Sequence, residues 1–338
     1  MASIVNRVAL PFLVAVGFVV VGISIVLGQS EEELTEEQEE ELESLAGIVS
    51  AALEGQVNPV EEPFAWVNNF VKSSEQTTFV PFMFSVEQTK LGTSTAALYV
   101  LVEPRAGVGG SELVVPVFED AHHIELGAPT AEGVYEIRGG FWVAGGDYDV
   151  YVALSESGVL DESGNEAATM MFRKSLSVPN LWSDQLATSS VILAEQVETL
   201  TVPSPSDQLL ANPYTFGNLR IVPKMTAEYV NEGEFSLVLF VYNFGLRKSG
   251  MPDVKVDYTF DTLTSEGATY FNRTDAQLFN ERTLPHGFDS TAGHQIIAGQ
   301  VVSLNAFSAA DYRLDIRVTD NTNGATLVRS VDFSVGTP

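Results

Sequence analysis

The sequence has no cysteine and only four histidines among its 338 residues. The missing cysteines exclude disulfides, thiolate catalysis, zinc sites with cysteine ligands and a lipid-modified N-terminal cysteine. Without disulfides, the folded chain has to be stabilised by burial of apolar side chains, and domains of ordinary length can do this. Hydrophobic residues make up 45% of the chain, which is normal for globular protein and excludes global disorder.

Basic side chains are also scarce. Lysine and arginine number 17 against 45 aspartates and glutamates, which gives a formal net charge of −28 at pH 7. A chain this acidic repels nucleic acid and anionic lipid headgroups, so we expect neither as a partner. Two interpretations of the charge stay open: it keeps the protein soluble at a crowded or salty surface, or it binds multivalent cations.

Sequence motifs of catalysis are missing as well. The chain contains no glycine-rich phosphate-binding loop, no G-x-S-x-G and no H-E-x-x-H. His286, Asp289, Ser290 and His294 lie close together in sequence, but catalytic triads are usually assembled from distant segments. The prolines and glycines around them indicate a loop. We therefore predict that the protein is not an enzyme and has no catalytic residues.

The best transition-metal candidates are His122, His123 and Glu125. On a strand, His123 and Glu125 would share one face. A zinc site needs three or four ligands, and no third ligand lies nearby. We therefore expect a polar loop at the tip of a domain here, with no metal.

Calcium is a further candidate ligand, at two oxygen-rich turns, 161–166 and 320–324. Calcium takes six to eight oxygen ligands, which often cluster in such loops. Aspartate and asparagine also dominate ordinary hairpin turns, because they tolerate the left-handed conformation. The first turn is the better candidate for calcium, the one cofactor considered. Its ligands would be Asp161, Glu162, Asn165 and Glu166.

Residues 8–27 form an apolar run, and its length is about that of a transmembrane helix. Arg7 is the only charge before the run, and the next basic residue is Lys72. This asymmetry predicts a cytoplasmic N-terminus and export of the body to the periplasm or the outside. Residues 1–28 are thus either a transmembrane signal anchor in the inner membrane or a signal peptide. The run exceeds the ~7–15 apolar residues of usual signal peptides, and cleavage would make the protein secreted.

Residues 29–63 are expected to form an acidic helical spacer and a hinge. Nine glutamates lie between residues 31 and 43, and apolar residues then recur at near-helical spacing. The pattern predicts a helix over 31–54 that ends at Gly55, with its acidic start favoured by the helix dipole. The helix either lifts the domains off the membrane as a solvated spacer or binds a partner. The contact residues of such a partner helix would be Leu45, Ile48 and Val49.

One pattern occurs twice, at residues 145–154 and 309–318. Each copy has two small residues, then Asp-Tyr, then strict alternation. A period of two indicates a strand with one buried and one exposed face. Tyr148 and Tyr312, each at a strand start after a tight corner, are typical of the tyrosine corner of Greek-key sandwiches. The sequence therefore predicts an all-β fold with two tandem Ig/fibronectin-III-like β-sandwiches.

Short apolar stretches divided by glycine-rich turns, among them Gly139-Gly140, indicate a first sandwich over residues 64–180. A second sandwich is expected over 214–338. Residues 181–213 are too apolar for a free tether, so we expect a partly ordered interdomain strap. The outward residues of the two repeated strands differ, so the domains should share a core plan but meet different surroundings. These outward residues are Asp149, Tyr151 and Ala153 in the first copy, and Arg313, Asp315 and Arg317 in the second.

Four segments resemble the region around the paired β-domains of secreted acidobacterial-type proteins, in which the pair follows a von Willebrand A-like or GWxTD module. They are 178–181, 186–194, 219–224 and 237–243, and the resemblance covers about residues 130–338. The sequence has neither the Asp-x-Ser-x-Ser metal site nor the Gly-Trp-x-Thr-Asp string of the upstream module. The resemblance implies an envelope β-sandwich protein, without the adhesion function tied to that module.

Exposed aromatic residues could mark a binding face. Tyr151 should point outward if Tyr148 points inward, and Trp142 and Tyr270 are further candidates, although most tryptophans and tyrosines of sandwiches lie in the core. We expect a non-enzymatic envelope protein that acts through protein–protein interaction, as a scaffold or accessory subunit, with protein partners in the cell envelope. The alternative is a carbohydrate-binding or calcium-dependent adhesion module.

Overall fold

The computed structural model describes residues 34–57, 65–91, 94–105, 115–156, 169–205 and 208–337. No helix among them is both long and apolar enough to cross a membrane. The predicted membrane segment, residues 8–27, and the predicted calcium ligands lie outside the described residues. Those ligands are Asp161, Glu162, Asn165 and Glu166.

Among the described residues, one α-helix precedes a series of strands joined by loops and short helical turns. The helix is α1 (Glu36–Leu53). The strands of the first sandwich are β1 (Trp66–Asn68), β2 (Val71–Lys72), β3 (Thr78–Glu87), β4 (Thr95–Pro104), β5 (Phe118–Glu125), β6 (Val134–Val143), β7 (Gly146–Glu156) and β8 (Thr169–Val178). The strands of the second are β9 (Ala187–Thr188), β10 (Ile192–Thr199), β11 (Thr215–Phe216), β12 (Leu219–Pro223), β13 (Glu228–Val230), β14 (Glu234–Tyr242), β15 (Val254–Thr264), β16 (Gly267–Arg273), β17 (Gln277–Phe279), β18 (Ile296–Ser303), β19 (Ala310–Asp320) and β20 (Thr326–Gly336).

The first sandwich packs two antiparallel sheets face to face. In one sheet, β3 pairs with β1 and β2 on one side and with β6 on the other. The facing sheet has the order β5-β4-β7-β8. Alternate side chains of both sheets, such as Phe82 on β3 and Val150 on β7, form one core. The β-sandwich predicted from the period-two pattern is therefore present.

The second sandwich repeats the strand plan of the first. One sheet has the order β11-β12-β10-β14-β18, and the other has the order β13-β20-β19-β15-β16. β14 and β18 thus correspond to β3 and β6, and the row β20-β19-β15-β16 corresponds to β8-β7-β4-β5. The common order supports the duplication inferred from the repeated pattern. The second copy adds β12 beside β10 and the parallel strand β13 beside β20.

Both predicted tyrosine corners are present. Tyr148 lies near the start of β7 and donates from its hydroxyl to the carbonyl of Ala144, at 3.1 Å. Tyr312 lies near the start of β19 and donates to the carbonyl of Ser308, at 2.9 Å. Both rings are buried in the cores. Each bond therefore fixes the turn before a central strand against the interior of its sandwich.

The predicted strap over residues 181–213 is wrong in part, because it contains strands of the second sandwich. β9 and β10 both pair with β14, and β10 also pairs with β12. Ile192 and Ala194 of β10 are buried. β9 and β10 therefore form the neighbours of β14 on the side away from β18. The apolar residues of this segment, which argued against a free tether, are the side chains of these strands.

The predicted turn at Gly139-Gly140 is also wrong, because β6 runs through both glycines. They pair with Phe82 and Pro81 of β3. A Cβ atom on Gly139 would lie 2.4 Å from the ring of Phe82, and one on Gly140 would lie 2.5 Å from the ring of Phe79. These glycines therefore make room for aromatic rings inside a strand, a role that glycine has where another group approaches the backbone closely.

The two sandwiches pack directly on each other. Phe70 and Val71 of the first sandwich contact a cluster that includes Phe240 of the second. The backbone of Phe70 exchanges two hydrogen bonds with Ser190, at 2.9 and 3.0 Å. Tyr214 is buried and donates to the side chain of Asn69 at 3.0 Å. Apolar burial and satisfied polar groups thus join the sandwiches.

Candidate functional site

The helix α1 begins and ends with strong local signals. Thr35 caps it: its hydroxyl accepts from the backbone N–H of Gln38 at 3.2 Å, and the side-chain oxygen of Gln38 accepts from the backbone N–H of Thr35 at 3.0 Å. This reciprocal pair is a capping box. Gly55, with φ of +74°, follows the helix end. A helix is therefore present within the predicted range 31–54, as α1 over Glu36–Leu53. Its cap is Thr35, so the Thr-x-x-Gln motif marks its start and the predicted start at residue 31 is too early.

The prediction that α1 is a solvated spacer is wrong. Leu45 and Val49 are buried, at 1% and 0% exposure, because α1 lies on the outer face of the β5-β4-β7-β8 sheet. Ile48 is half-buried in the same contact. These three residues were also predicted to bind a partner, and in this structure their partner is the first sandwich itself.

The surface under α1 is shaped for a helix, and we call it the helix groove. Ala97 of β4 and Ala153 of β7 are fully buried beneath α1 and leave room for its backbone to approach. Larger side chains complete the contact. They are Tyr99, Leu101, Tyr151 and Met171, with Ala121 partly buried beside them.

Carboxylates hold the two tyrosines of the helix groove. The hydroxyl of Tyr99 donates to Glu119 at 2.5 Å, and burial raises the pKa of Tyr99. The hydroxyl of Tyr151 donates to Glu103 at 3.3 Å, and burial raises the pKa of both groups. Tyr151 does point outward, as predicted, but α1 covers it and leaves 5% exposed. It is therefore not an open aromatic platform.

One carboxylate of α1 is buried in the helix groove. Glu41, 6% exposed, accepts from the hydroxyl of Ser155 at 2.6 Å through Oε1. Its Oε2 lies 2.8 Å from Nε2 of His123 on β5. A carboxylate only accepts, so Nε2 of His123 carries the proton in this contact. The other ring nitrogen, Nδ1, is buried and has no hydrogen-bond partner among the described residues.

The order of these groups does not suit nucleophilic catalysis. In a serine triad the histidine lies between the hydroxyl and the carboxylate, so that it can take the proton. Glu41 lies in the middle instead, and Ser155 donates to a carboxylate. The three residues form a polar lock that fixes where α1 sits along the sheet.

The polar lock and the apolar row of α1 are comparable in energy. Full burial of an aliphatic side chain contributes about 1.5–3 kcal/mol, so Leu45 and Val49 contribute roughly 3–6 kcal/mol together. Leaving a buried hydrogen-bonding group without its partner costs about 1–3 kcal/mol. A change at Glu41, which removes the acceptor of both bonds, can therefore offset much of the docking energy of α1.

The corresponding face of the second sandwich is polar, and no helix among the described residues covers it. Arg313 of β19 makes a two-pronged ion pair with Asp332 of β20, at 2.7 and 2.8 Å, which lowers the pKa of Asp332. Asp315 accepts from Ser330 at 2.6 Å. The expectation that the two domains meet different surroundings is thus supported, since one face lies under α1 and the other lies open.

The metal candidates do not assemble a site. His122 and His123 lie on β5, on opposite faces, and not in the polar loop predicted for them. His122 pairs with Asp120 at 3.1 Å, and both line a cleft of about 1010 Å³ beside the first turn of α1. Within the described ranges, no group of three or more histidine, aspartate or glutamate side chains could hold a metal ion.

The turn at 320–324 is structural. Asp320 is fully buried, and it accepts from the backbone of Gly245 at 2.6 Å and from the backbone and hydroxyl of Thr322 at 2.9 and 2.7 Å. Its oxygens are occupied by donors and are not presented to a cation. The turn closes the β19–β20 hairpin, and Asp320 holds it through these bonds.

The histidine-rich loop after β17 also lacks catalytic geometry. Asp289 caps the short helical turn 290–292 by accepting from Thr291, at 2.8 and 2.6 Å. Nδ1 of His294 accepts from the backbone of Asp289 at 3.0 Å. The carboxylate therefore does not orient the imidazole.

Of the remaining aromatic candidates, Trp142 is half-buried and packs on Phe79, with ring centroids 5.0 Å apart. Tyr270 of β16 is 61% exposed. It is the only one of the three aromatic candidates that is open to solvent, so it offers a single ring rather than a platform.

Sequence reasoning missed the polar junction between the sandwiches. The ammonium of Lys72 lies 2.7 Å from the side-chain oxygen of Asn243 and 4.2 Å from the ring centroid of Trp182. Burial lowers the pKa of Lys72. Asn243 has a φ of +58° and also donates to the backbone of Leu181 and Gln185. No local motif predicts this cluster, because Lys72 lies more than a hundred residues from both Trp182 and Asn243.

Comparison with known proteins adds little. No protein-family model matches the chain, and no curated protein matches it. Among solved structures, the chain is similar to Salmonella alpha-2-macroglobulin reacted with methylamine, with 12% identity over 82% of this chain and 17% of that one, at a TM-score of 0.21. Trypsin-activated alpha-2-macroglobulin from Escherichia coli gives 10% identity, the same coverage and a TM-score of 0.22. At such scores the likeness carries no conclusion.

Proposed function

We propose that this protein is a non-enzymatic interaction arm of the cell envelope, a scaffold or accessory subunit of a membrane or surface assembly. The observation that carries the proposal is the packed junction of the sandwiches. Lys72, Tyr214 and Tyr242 are each held by a contact that crosses the junction. Two sandwiches fixed in this way present their edges and end loops at constant spacing, which suits the binding of an extended protein surface.

The strand order supports an Ig/fibronectin-III-like assignment. In the first sandwich, the sheet that contains β3 packs against the row β5-β4-β7-β8; in the second, the sheet that contains β14 packs against the row β16-β15-β19-β20. In each sandwich the tyrosine corner lies on the penultimate strand in chain order, β7 or β19. Domains of this architecture commonly serve as extracellular binding modules. We keep the proposed kinship with the paired β-domains of secreted GWxTD and von Willebrand A-related proteins, on the sequence segments that suggested it.

The proposed location rests on the sequence before α1. Residues 8–27 would anchor the chain in the inner membrane with the N-terminus in the cytoplasm, and cleavage after Gly28 would release it. In both cases the sandwiches are exported. If the chain is anchored, the first sandwich would lie close to the membrane, since α1 begins at Glu36 and packs along the sheet.

The test is purification of the full chain, tagged at its C-terminus, from its own membranes in mild detergent, with chemical cross-linking and mass spectrometry. We expect a stoichiometric protein partner cross-linked to the sandwiches. Lys72→Ala should lower its yield severalfold, because it removes the charge at the junction. Lys248→Ala, an equal loss of charge at an exposed loop, is the matched control. Recovery of the wild-type chain only as a lone monomer would contradict the proposal.

A further inference from the structure

The first sandwich has an opening between its two sheets that a side chain bridges in the second. In the first, the outer strands β5 and β6 border the cleft of about 1010 Å³. In the second, β17 and β18 hold the matching places, and the amide of Gln277 donates across to the carbonyl of Gly299 at 2.7 Å. The hydroxyl of Tyr258 donates to Oε1 of Gln277 at 2.7 Å and holds this bridge in position.

The strand registers show that His122 stands where the second sandwich has Gln277. In each sandwich we count six residues back along the strand from the position opposite the tyrosine corner. The position reached lies opposite His122 in the first sandwich and opposite Gln277 in the second. The pairs are Pro104–Tyr148 and Leu98–His122 in the first, and Thr262–Tyr312 and Val256–Gln277 in the second. His122 contacts Asp120 of its own strand, at 3.1 Å, and the cleft stays open beside it.

The walls of the cleft are strand edges. Residues 120–125 of β5 and 135–138 of β6 line it without a gap. Side chains of a strand alternate between two faces, so an unbroken run of lining residues means that the backbone borders the cleft. Among the described strands, β5 pairs only with β4, and β6 pairs only with β3. Both edges thus offer backbone groups that another extended chain can pair with.

The charges of the cleft favour a basic ligand. Asp120, Glu125 and Glu136 line it, and Arg138, 3.4 Å from Glu136, is the only lysine or arginine among its described lining residues. The chain as a whole has a net charge of −28. Such a field attracts a cationic segment and repels a second acidic copy of this chain. Charged side chains on an edge also oppose pairing between like copies.

We propose that the cleft between β5 and β6 binds an extended segment of a partner protein, which pairs with β5 as a further strand and carries a lysine or arginine. In this mode of binding, main-chain hydrogen bonds give affinity, and alternate side chains give specificity. β5 is the template, because it lines the cleft over six residues and β6 over four. β5 has eight residues, so the segment is about 26 Å long. The inference rests on the proposed interaction function and names its surface.

The probe is a phage-displayed library of random nine-residue peptides, selected on the full chain in mild detergent. We expect the enriched peptides to alternate β-branched or aromatic residues with others and to contain a lysine or arginine. Fluorescein-labelled synthetic copies are then measured by fluorescence anisotropy. Replacement of the basic residue by glutamate should weaken binding at least ~10-fold, and added salt should weaken the parent peptide, because both changes reduce the attraction of the cleft.

Matched variants of the chain locate the site. Ala128 is exposed and lines the cleft, so Ala128→Trp should obstruct it and lower peptide affinity at least ~10-fold. Ala292→Trp, the same change at an exposed turn of the second sandwich, should have no effect. Glu125→Gln should lower the affinity by ~2–5-fold, whereas Glu266→Gln should not change it. Circular dichroism checks that the variants are folded.

Hydrogen exchange gives a readout that is independent of the variants. The bound peptide should slow exchange of the β5 amides and leave those of β18 unchanged. A selection that enriches nothing over the Ala128→Trp chain, equal binding to both tryptophan variants, or protection outside the cleft overturns the inference. A stoichiometric partner that the Ala128→Trp chain still recovers also overturns it and leaves the proposed function standing. Peptide binding at the cleft of a chain recovered only as a lone monomer rejects that function alone.

Discussion

At the scale of single residues, buried hydrogen bonds decide most of what is specific in this protein. Tyr148 and Tyr312 fix the two sandwich corners, and Glu41 fixes the position of α1. A missing side chain is equally specific at Gly245, because a Cβ atom there would lie 2.2 Å from the hydroxyl oxygen of Thr322. The tyrosines were predictable because their signal is local. Glu41 was not, since it is one of nine glutamates in a run.

Removal of a corner hydroxyl should destabilise each sandwich modestly. Tyr148→Phe and Tyr312→Phe keep the buried rings and lose the bonds to the carbonyls of Ala144 and Ser308. We expect the free energy of unfolding to fall by about 0.5–1.5 kcal/mol for each variant, measured by urea denaturation. Tyr270→Phe, at an exposed ring, serves as the control and should have no effect. A corner variant as stable as this control would mean that the bond does not contribute.

At the scale of elements, the exposed edges of the sheets are protected in different ways. β18 ends its sheet with no charge and no proline, and with Ile297 and Val301 at 38% and 61% exposure. Such an edge invites pairing with another strand. The side chain of Gln277 takes the place of that strand: it donates to the carbonyl of Gly299 at 2.7 Å and accepts from its amide at 3.3 Å.

Gln277→Ala should therefore open the edge of β18. The change leaves both backbone groups of Gly299 without their partner beside exposed aliphatic side chains. We expect concentration-dependent association through β18, detected by light scattering on a sizing column. A second change, Val301→Lys, should restore the monomer, because a lysine on an edge opposes pairing. Leu278→Ala, at the exposed neighbouring position, is the control; if it associates as strongly, the role assigned to Gln277 is wrong.

At the scale of the whole molecule, the contacts of the junction hold the two sandwiches together as one unit. Tyr214 and Tyr242 are buried there, and each hydroxyl contacts the first sandwich, at Asn69 and Lys72. Burial raises the pKa of both tyrosines above the ordinary value of about 10. Only the neutral forms fit the junction. Their contribution to stability is therefore complete below pH 10 and is lost as the pH rises above that value.

The junction should thus weaken in alkali. We expect the wild-type chain to lose stability as the pH rises above about 10, measured by thermal unfolding with circular dichroism. The double variant Tyr214→Phe, Tyr242→Phe should be less stable at pH 8, by about 1 kcal/mol per lost bond, but should show a shallower alkaline decline. The pH 8 measurement is the internal control. An equally steep decline in the variant would show that other groups cause it.

The sequence by itself determined the strand pattern, the duplicated sandwich plan and the helix before it. Period-two alternation, tyrosine corners and helix caps are local, so neighbouring residues carry their whole signal. Only the tertiary structure decided which distant residues pack against each other. The Glu41–His123 contact, the helix groove and the Lys72 junction join residues far apart in the chain, and no local pattern encodes such pairs. The same long-range packing turned a predicted acidic spacer into a docked helix, because one narrow row of α1 is buried while most of the glutamates around it stay in water.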